Sequence, residues 1–548
     1  ETTGLDPHTC KIRLIQIGCE GQPVLLVDCF KVNPEPVKEI LSDVSIKKCL
    51  QNAKFDLKFL RTHLLPVRGK LFDTMIAAQL INSGVKEKCS LDALSKKYLG
   101  IDLSKENQKS NWSNDPLTQE QIEYAAMDAE ILLPLRLKLC EKLYEMCLLK
   151  TAEIEFNCLY PVAEMELSGI KLDIEKWNIL KAEYQEKKES LSKEILSLIH
   201  GKTSEENLDM FGENAVNLDS PAQLKEQLNK IGFPVSDTSF ETLARLQNIP
   251  LIAKILDYRS VSKALSSFLV PLPEQIHKKT KRIHSTYWQT GSDAGRFSCS
   301  DPNLQQIPRT KDFRSCFIPH GGNKFVIADY SQIELRVAAE ISGDETMVEA
   351  YSGGADLHRL TAQMVSGREE VTKEERQLAK ALNFGLIFGM GAARFVEYAR
   401  NSYGVTMTLD QAEEFKAKFF NGYKGLKKWH NKTKREKPME TRTLSGRRRV
   451  FSENEEYFQL TARLNTPVQG TAADICKMAL GLLYEAIKPV GARIVGTVHD
   501  EILVEVKEEK AEETKQILSD CMVRAGQEFL KSVPVLADAN VCNNWSDK

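Results

Sequence analysis

Two short segments of this 548-residue chain each end an apolar, strand-like run in a carboxylate, and together they constrain the fold more than any other feature. In the first, Lys324-Phe-Val-Ile-Ala leads into Asp329-Tyr-Ser-Gln-Ile-Glu-Leu-Arg336; in the second, Val498-His-Asp-Glu501 separates Ile494-Val-Gly-Thr-Val498 from Ile502-Leu-Val-Glu-Val506. Two apolar runs flanking a polar pair predict a hairpin. Asp329 and Asp500 would then project from rigid strand ends, the placement that a preorganised site requires. An Asp beside a strand is ordinarily a solvated turn residue. Two such centres suit phosphoryl transfer, in which divalent cations about 3.5–4 Å apart activate a hydroxyl and offset charge on the phosphate.

Between them, Arg376-Gln-Leu-Ala-Lys380-Ala-Leu-Asn-Phe384-Gly-Leu-Ile-Phe388-Gly repeats Arg, Lys, Phe and Phe every four residues. On an α-helix that spacing advances about 40° per step, so the four share one slowly winding face. Two cations followed by two rings suit a triphosphate followed by a base, although a helical Arg/Lys pair is more often a solvated face.

In this order the three segments resemble motifs A, B and C of the family A DNA polymerases, the Klenow-type enzymes. The resemblance implies an α/β multidomain chain: an RNase H-like exonuclease domain followed by a right-hand polymerase of palm, fingers and thumb. It implies template-directed addition of dNTPs to a primer 3′-hydroxyl, with two Mg²⁺ ions, replaceable by Mn²⁺, held by Asp329 and Asp500 and supported by Glu501. Arg376, Lys380 and His358 would hold the triphosphate, Phe384 and Phe388 would meet the nucleotide, and Gln332 would line the same pocket. Glu334 would exclude a ribose 2′-hydroxyl; its ordinary alternative is a solvated helical Glu. Members usually carry Tyr where this chain has Phe388, so the ring is kept and a hydroxyl that bears on fidelity is lost.

Further segments resemble the DNA-contacting parts of that family. Thr290-Gly-Ser-Asp-Ala-Gly-Arg296 would place Arg296 in the minor groove, where hydrogen-bond acceptors are nearly degenerate and shape can be checked without reading sequence. Asn465 and Gln469 match template-side and primer-side polar residues, and His499 belongs with them. Thr461 stands where Arg is frequent, with Arg463 as a substitute from a neighbouring turn. Basic and aromatic residues interleave from Phe415 to Arg449, ending in Lys432-Thr-Lys-Arg435 and Gly446-Arg-Arg-Arg449; Arg447 is the DNA-contacting candidate there, against the alternative of a plain charged surface.

At the other end, Glu1-Thr-Thr-Gly-Leu5, Asn52-Ala-Lys-Phe-Asp56 and Tyr124-Ala-Ala-Met-Asp128 resemble motifs I, II and III of the DEDDy 3′–5′ exonucleases. Glu1, Asp56 and Asp128 would hold metal, and Tyr124 would orient the attacking water. Motif I has another Asp two residues before its Glu, upstream of Glu1. Without it, hydrolysis is expected to be nearly lost.

The pattern predicts an exonuclease-like domain over 1–150, thumb and approach to the palm over 151–290, palm over 291–350, fingers over 351–445 and palm again over 446–548. Residues from about 174 to 280 read as helical, with a capped start at Asn217-Leu-Asp-Ser-Pro-Ala-Gln-Leu224. Composition is that of an ordinary globular protein, 42% hydrophobic and 27% charged. No apolar run reaches the roughly 18 residues of a membrane helix. The 13 cysteines, among them Cys10, Cys19, Cys299 and Cys476, form no metal spacing and read as free thiols of a reducing compartment, cytoplasmic or organellar. The expected partners are primer–template DNA and dNTPs, with the chain a monomer. Three alternatives remain at this stage: a single-subunit RNA polymerase, which Glu334 and Phe384 disfavour; an enzyme that also copies RNA; and an inactive DNA-binding relative. Phe384 in place of Tyr implies poor use of dideoxynucleotides. Competition between ddNTPs and dNTPs in primer extension tests this, and comparable incorporation of both would contradict it.

Overall fold

Phe325, Val326, Ile327 and Ala328 are all fully buried, a continuous apolar run that suits a strand covered on both faces. In the computed structural model, which describes all residues except 86, 104–109, 201–215 and 453–456, they form the centre of the Asn323–Tyr330 strand. The sheet is antiparallel, in the order Arg493–Val498, Glu501–Lys507, Asn323–Tyr330, Ala537–Cys542. Val498 pairs with Glu501, so the expected hairpin closes through His499 and Asp500 alone. Such two-residue loops need positive φ, and His499 takes it at 59°. The register sets Asp329 opposite both Glu501 and Asp538.

The Ala511–Gln527 helix packs on the Asn323–Tyr330 and Ala537–Cys542 strands, and the Leu149–Ser168 helix packs on Arg493–Val498. Leu149–Ser168 also touches the Ala53–Thr62 and Leu460–Ala486 helices. Its buried residues include Ile154, Phe156, Leu159, Val162 and Met165, so it is apolar nearly all round and needs cover on several sides. The boundary expected at residue 150 therefore falls inside a helix, and the chain divides elsewhere. One compact unit comprises 1–170, 277–306 and 319–548; the other comprises 171–276 and 307–318.

Within the first unit, the amino-terminal part pairs Leu14–Ile17 antiparallel with Leu25–Asp28, and Lys48–Leu50 parallel with Leu71–Asp73. The Ala53–Thr62, Thr74–Ile81, Gln119–Glu130 and Leu132–Glu145 helices accompany them. The second unit is helical, as its composition suggested, with Ile174–His200, Pro221–Lys230 and Pro250–Ala264 as its main elements. Ser220 caps Pro221–Lys230 by accepting from the Gln223 N–H, with Pro221 in the first turn where its missing donor costs nothing. Trp177 is fully buried there, edge-on to Phe313 and Phe317 at 5.7 and 5.9 Å, and its indole N–H donates to the Leu269 carbonyl at 3.1 Å. Among the described residues no helix is long and apolar enough to cross a membrane.

Glu505 is a charged residue buried within the sheet, 1% exposed. It accepts from Arg282 at 2.5 Å, from Arg493 at 2.8 Å and from Asn323 at 2.8 Å. Burial works against its charge, but the two guanidiniums outweigh burial and hold the carboxyl down to about 2. A depressed carboxyl stabilises the fold above its unfolded value and loses that contribution as pH falls toward its folded value. Glu505→Gln should thus lower stability at neutral pH by about 3 kcal/mol, the scale for breaking a buried pair. The difference in thermal midpoint from the unmodified chain should shrink between about pH 4.5 and pH 2; a difference independent of pH would contradict this.

Candidate active sites

The antiparallel register brings the first carboxylate pair together without any loop to hold it. Asp329 and Glu501 are cross-strand neighbours, and the Asp500 carbonyl accepts from the Tyr330 N–H at 3.4 Å. Glu501 is buried, and its Oε1 accepts from the Trp545 indole at 2.6 Å. Its Oε2 and the Oδ2 of Asp329 share the ammonium of Lys548. Among the described residues no group of three or more His, Cys, Asp or Glu is close enough to hold a metal. The donors nevertheless suit a hard divalent cation, since they are carboxylate oxygens and already gather a positive group.

The Lys373–Leu386 helix opens with a reciprocal cap between Thr372 and Glu375 and carries Arg376, Lys380 and Phe384. It ends at Leu386, so Phe388 lies in the following turn, before Gly389 at φ 76°, and not on the shared helical face expected for it. Arg376 donates through Nε to Asp356 at 2.8 Å. His358 is 4% exposed, bonded to the Asn383 amide at 2.8 Å, with its ring 5.8 Å from Phe384. Burial pushes it down to about 4, so near neutrality it has a hydrogen bond to offer a phosphate and no charge. Gln332 adopts a left-handed backbone, φ 54°, and accepts from the Tyr351 hydroxyl at 3.0 Å. Glu334 forms an ion pair with Arg296; burial raises the Glu334 carboxyl and the guanidinium opposes that rise. The two residues expected to inspect the sugar and the minor groove thus hold each other.

Arg296 follows a loop fixed from below. Lys477, fully buried, donates to Glu155 at 2.5 Å and to the carbonyls of Gln289 and Gly295 at 2.6 and 2.7 Å. Arg447 joins the same cluster, bonded to Glu155 and, through Nε at 2.8 Å, to Asp474, which also accepts from Thr443 and Ser445 at 2.8 and 2.7 Å. This corrects the reading of Arg447 as a DNA contact: it is 2% exposed and committed to two buried acids. Gly295, at φ 80°, leaves no room for a Cβ beside it, because that carbon would lie 2.6 Å from the Arg447 Cδ. Arg463 is likewise helical and 3% exposed, stacked 3.9 Å from the Phe451 ring centre, and not on a free turn. Asn465 and Gln469 lie one turn apart on Leu460–Ala486; Oδ1 of Asn465 is buried without a hydrogen-bond partner, and His499 is exposed. Sequence reasoning missed Glu155, Asp474, Lys477 and Trp545. The available signal was charge at positions whose neighbours are apolar: Glu155 beside Ile154 and Phe156, and Lys477 after Ile475 and Cys476.

In the second constellation Glu1 is near enough to bear on both Asp56 and Asp128. Asp56 lies on the Ala53–Thr62 helix; Tyr124 and Asp128 lie one turn apart on Gln119–Glu130, and Gln16 donates to Glu1 at 3.4 Å. Burial lifts Asp56 to about 7, with Glu1 and Asp73 adding to the rise. Burial lifts Asp128 to about 6, against the lowering effect of the Tyr124 hydroxyl, and Glu1 raises it further. Mutual repulsion of this kind is what a bound cation relieves. Asp73 has a structural role, accepting from the N–H groups of Ala53 at 2.7 Å and Ile76 at 3.0 Å.

Known proteins agree with both halves. Residues 181–547 match DNA polymerase family A, and residues 1–144 match a 3′–5′ exonuclease family. DNA polymerase I of Aquifex aeolicus is 36% identical over the whole chain and 95% of its own length. That of Pseudomonas aeruginosa is 32% identical, but the chain spans only 63% of it. The solved polymerase domain of Pol1 from M. smegmatis, in complex with DNA primer-template and dNTP, superposes with a TM-score of 0.84 at 26% identity, covering 99% of this chain and 94% of that one. Fold and relatives together define a DNA polymerase with an attached 3′–5′ exonuclease domain. The chain belongs to DNA polymerase family A. Such polymerases and exonuclease domains are generally dependent on divalent metals.

Removing the Lys477 ammonium leaves Glu155 with fewer partners and frees two loop carbonyls. Lys477→Met should cost about 3–5 kcal/mol of stability and reduce discrimination between matched and mismatched primer ends, whereas Lys477→Arg should restore part of both. Thermal unfolding and single-nucleotide extension measure the two effects; discrimination unchanged in a folded Lys477→Met protein would contradict the assignment.

Proposed function

We propose that the chain extends a primer 3′-hydroxyl along a DNA template with dNTPs, and that its amino-terminal part trims mispaired ends where the Asp that motif I carries two residues before Glu1 is present. The observation that carries the reading is the sheet register that sets Asp329 against Glu501 with Asp500 in the adjoining two-residue turn. Residues 1–150 supply the exonuclease part, 171–276 with 307–318 the thumb, the four-stranded sheet the palm, and the helices between about 351 and 445 the fingers.

Asp329 and Asp500 would hold two Mg²⁺ ions, which Mn²⁺ can replace, and those ions supply activation of the hydroxyl and neutralisation of phosphate charge. Trp545 orients Glu501 through its indole hydrogen bond, keeping the carboxylate turned toward Asp329. Arg376 and Lys380 bind the triphosphate, for which Arg376 exchanges Asp356 for a phosphate oxygen. His358 adds a neutral hydrogen bond. Phe384 packs on the sugar and base, and Phe388, in its turn, meets the new pair from the template side. Glu334 fills the space of a 2′-hydroxyl, and its charge is balanced by Arg296 until that side chain enters the minor groove. Asn465, Gln469 and His499 contact the DNA. Glu1, Asp56 and Asp128 hold metal in the trimming site, and Tyr124, bonded to Asp128, orients water.

Two variants separate the activities. Asp329→Ala should bind primer–template normally and lose extension by at least about 10³-fold, the scale of losing a metal-bound catalytic group. Asp128→Ala, made in a chain that carries the motif I Asp before Glu1, should extend normally while losing trimming of a mismatched primer end. Extension that persists in Asp329→Ala would overturn the site assignment, and trimming that persists in Asp128→Ala would overturn the second site.

A further inference from the structure

The Lys424–Glu436 helix buries Leu426, His430 and Thr433, one stripe at helical spacing. The stripe is anchored at both ends. The N–H groups of Gly425 and Leu426 donate to Asp344 at 2.7 and 3.2 Å, and Nε2 of His430 donates to the Ile387 carbonyl at 2.9 Å. The opposite face exposes Lys424, Lys427, Lys428, Lys432, Lys434 and Arg435. Its only acid is Glu436, paired with Arg435 at 3.2 Å. Among the described residues no ion pair engages Lys424, Lys428, Lys432 or Lys434, and Lys427 reaches only the Asn421 amide oxygen at 3.4 Å. Like charges at these spacings repel one another, and the chain as a whole is slightly acidic, at −2, so the concentration on this face is local.

We propose that this face is a track for the single-stranded template ahead of the polymerase site. Position and charge support it together. His430 fastens the helix to the residue immediately before Phe388, which places the basic face beside the end of the nucleotide helix, where template not yet copied approaches. This step rests on the reading that Phe384 and Phe388 meet the incoming pair. A repeat of four residues rises about 6 Å, close to two nucleotides at about 3.4 Å each along a strand, so lysines four residues apart on the face can follow every second phosphate. The whole helix, about 20 Å long, would cover roughly six nucleotides. None of the contacts reads a base edge, so the track is indifferent to sequence.

The test is fluorescence anisotropy of labelled primer–templates with 5′ overhangs of about 2 or 10 nucleotides, titrated at several KCl concentrations. It compares the unmodified chain with Lys428→Ala/Lys432→Ala/Lys434→Ala. These side chains are exposed, and matching thermal midpoints establish that the variant is folded. The unmodified chain should bind the long overhang more tightly, with a log K against log salt slope steeper by about 2, the value for three single-strand phosphates. The variant should lose that extra slope and bind the long overhang about 10-fold more weakly at low salt, while short-overhang affinity is equal in the two proteins. An extra slope retained in the variant would overturn the proposal, and an equal loss on both DNAs would assign the face to the paired duplex instead. Extension of primers by a chain that shows no overhang preference would overturn this inference alone. Failure to bind primer–template at all would overturn the polymerase reading with it.

Discussion

The buried ammonium of Lys477 is the point on which the polymerase half of the molecule turns. A fully buried cation is tolerable only if it is paired and hydrogen-bonded, and here one carboxylate and two main-chain carbonyls complete its shell. Those three partners come from far apart in the chain: Glu155 from a helix that also touches the amino-terminal part, Gln289 and Gly295 from the loop that delivers Arg296. Arg447 and Asp474 extend the network, so a set of charges that would each be costly alone becomes a joint that fixes several elements. Burial drives the Lys477 ammonium down and Glu155 draws it back up, whereas the Arg447 guanidinium is held well above its usual range by its two acids, against burial.

The same logic of charges sharing partners runs through the polymerase half. Glu501 is divided between Trp545 and a positive group, Arg376 leans on Asp356, and Arg296 is held by Glu334. Each contact holds a charged side chain in place. In the amino-terminal part burial outweighs the groups that oppose it, and the Asp56 and Asp128 carboxyls are raised.

Much of this was legible in the residues. The central strand could be read from Phe325-Val-Ile-Ala328, the hairpin from two apolar runs around His499 and Asp500, and the capped helix from Ser220 and Pro221, because local patterns decide them. The ordered motifs carried the family and the candidate acids. What was hidden depended on long-range pairing. Arg447 reads as one of three surface arginines until Glu155, 292 positions away, neutralises it in the interior. Phe388 keeps helical spacing in the sequence, but the turn at Gly389 takes it off the helix. The boundary at 150 lies at the start of the Leu149–Ser168 helix, whose buried faces keep it packed with the residues on both sides of it. Trp545 offers no local sign that its indole reaches Glu501.

The most direct measurement of the central claim is single-nucleotide addition to a primer opposite each of the four templating bases, with each dNTP and each rNTP supplied in turn. The account predicts that the added nucleotide follows the template base and that the ribonucleotides are used poorly. Addition that ignores the template, or that accepts ribonucleotides as readily, would contradict it.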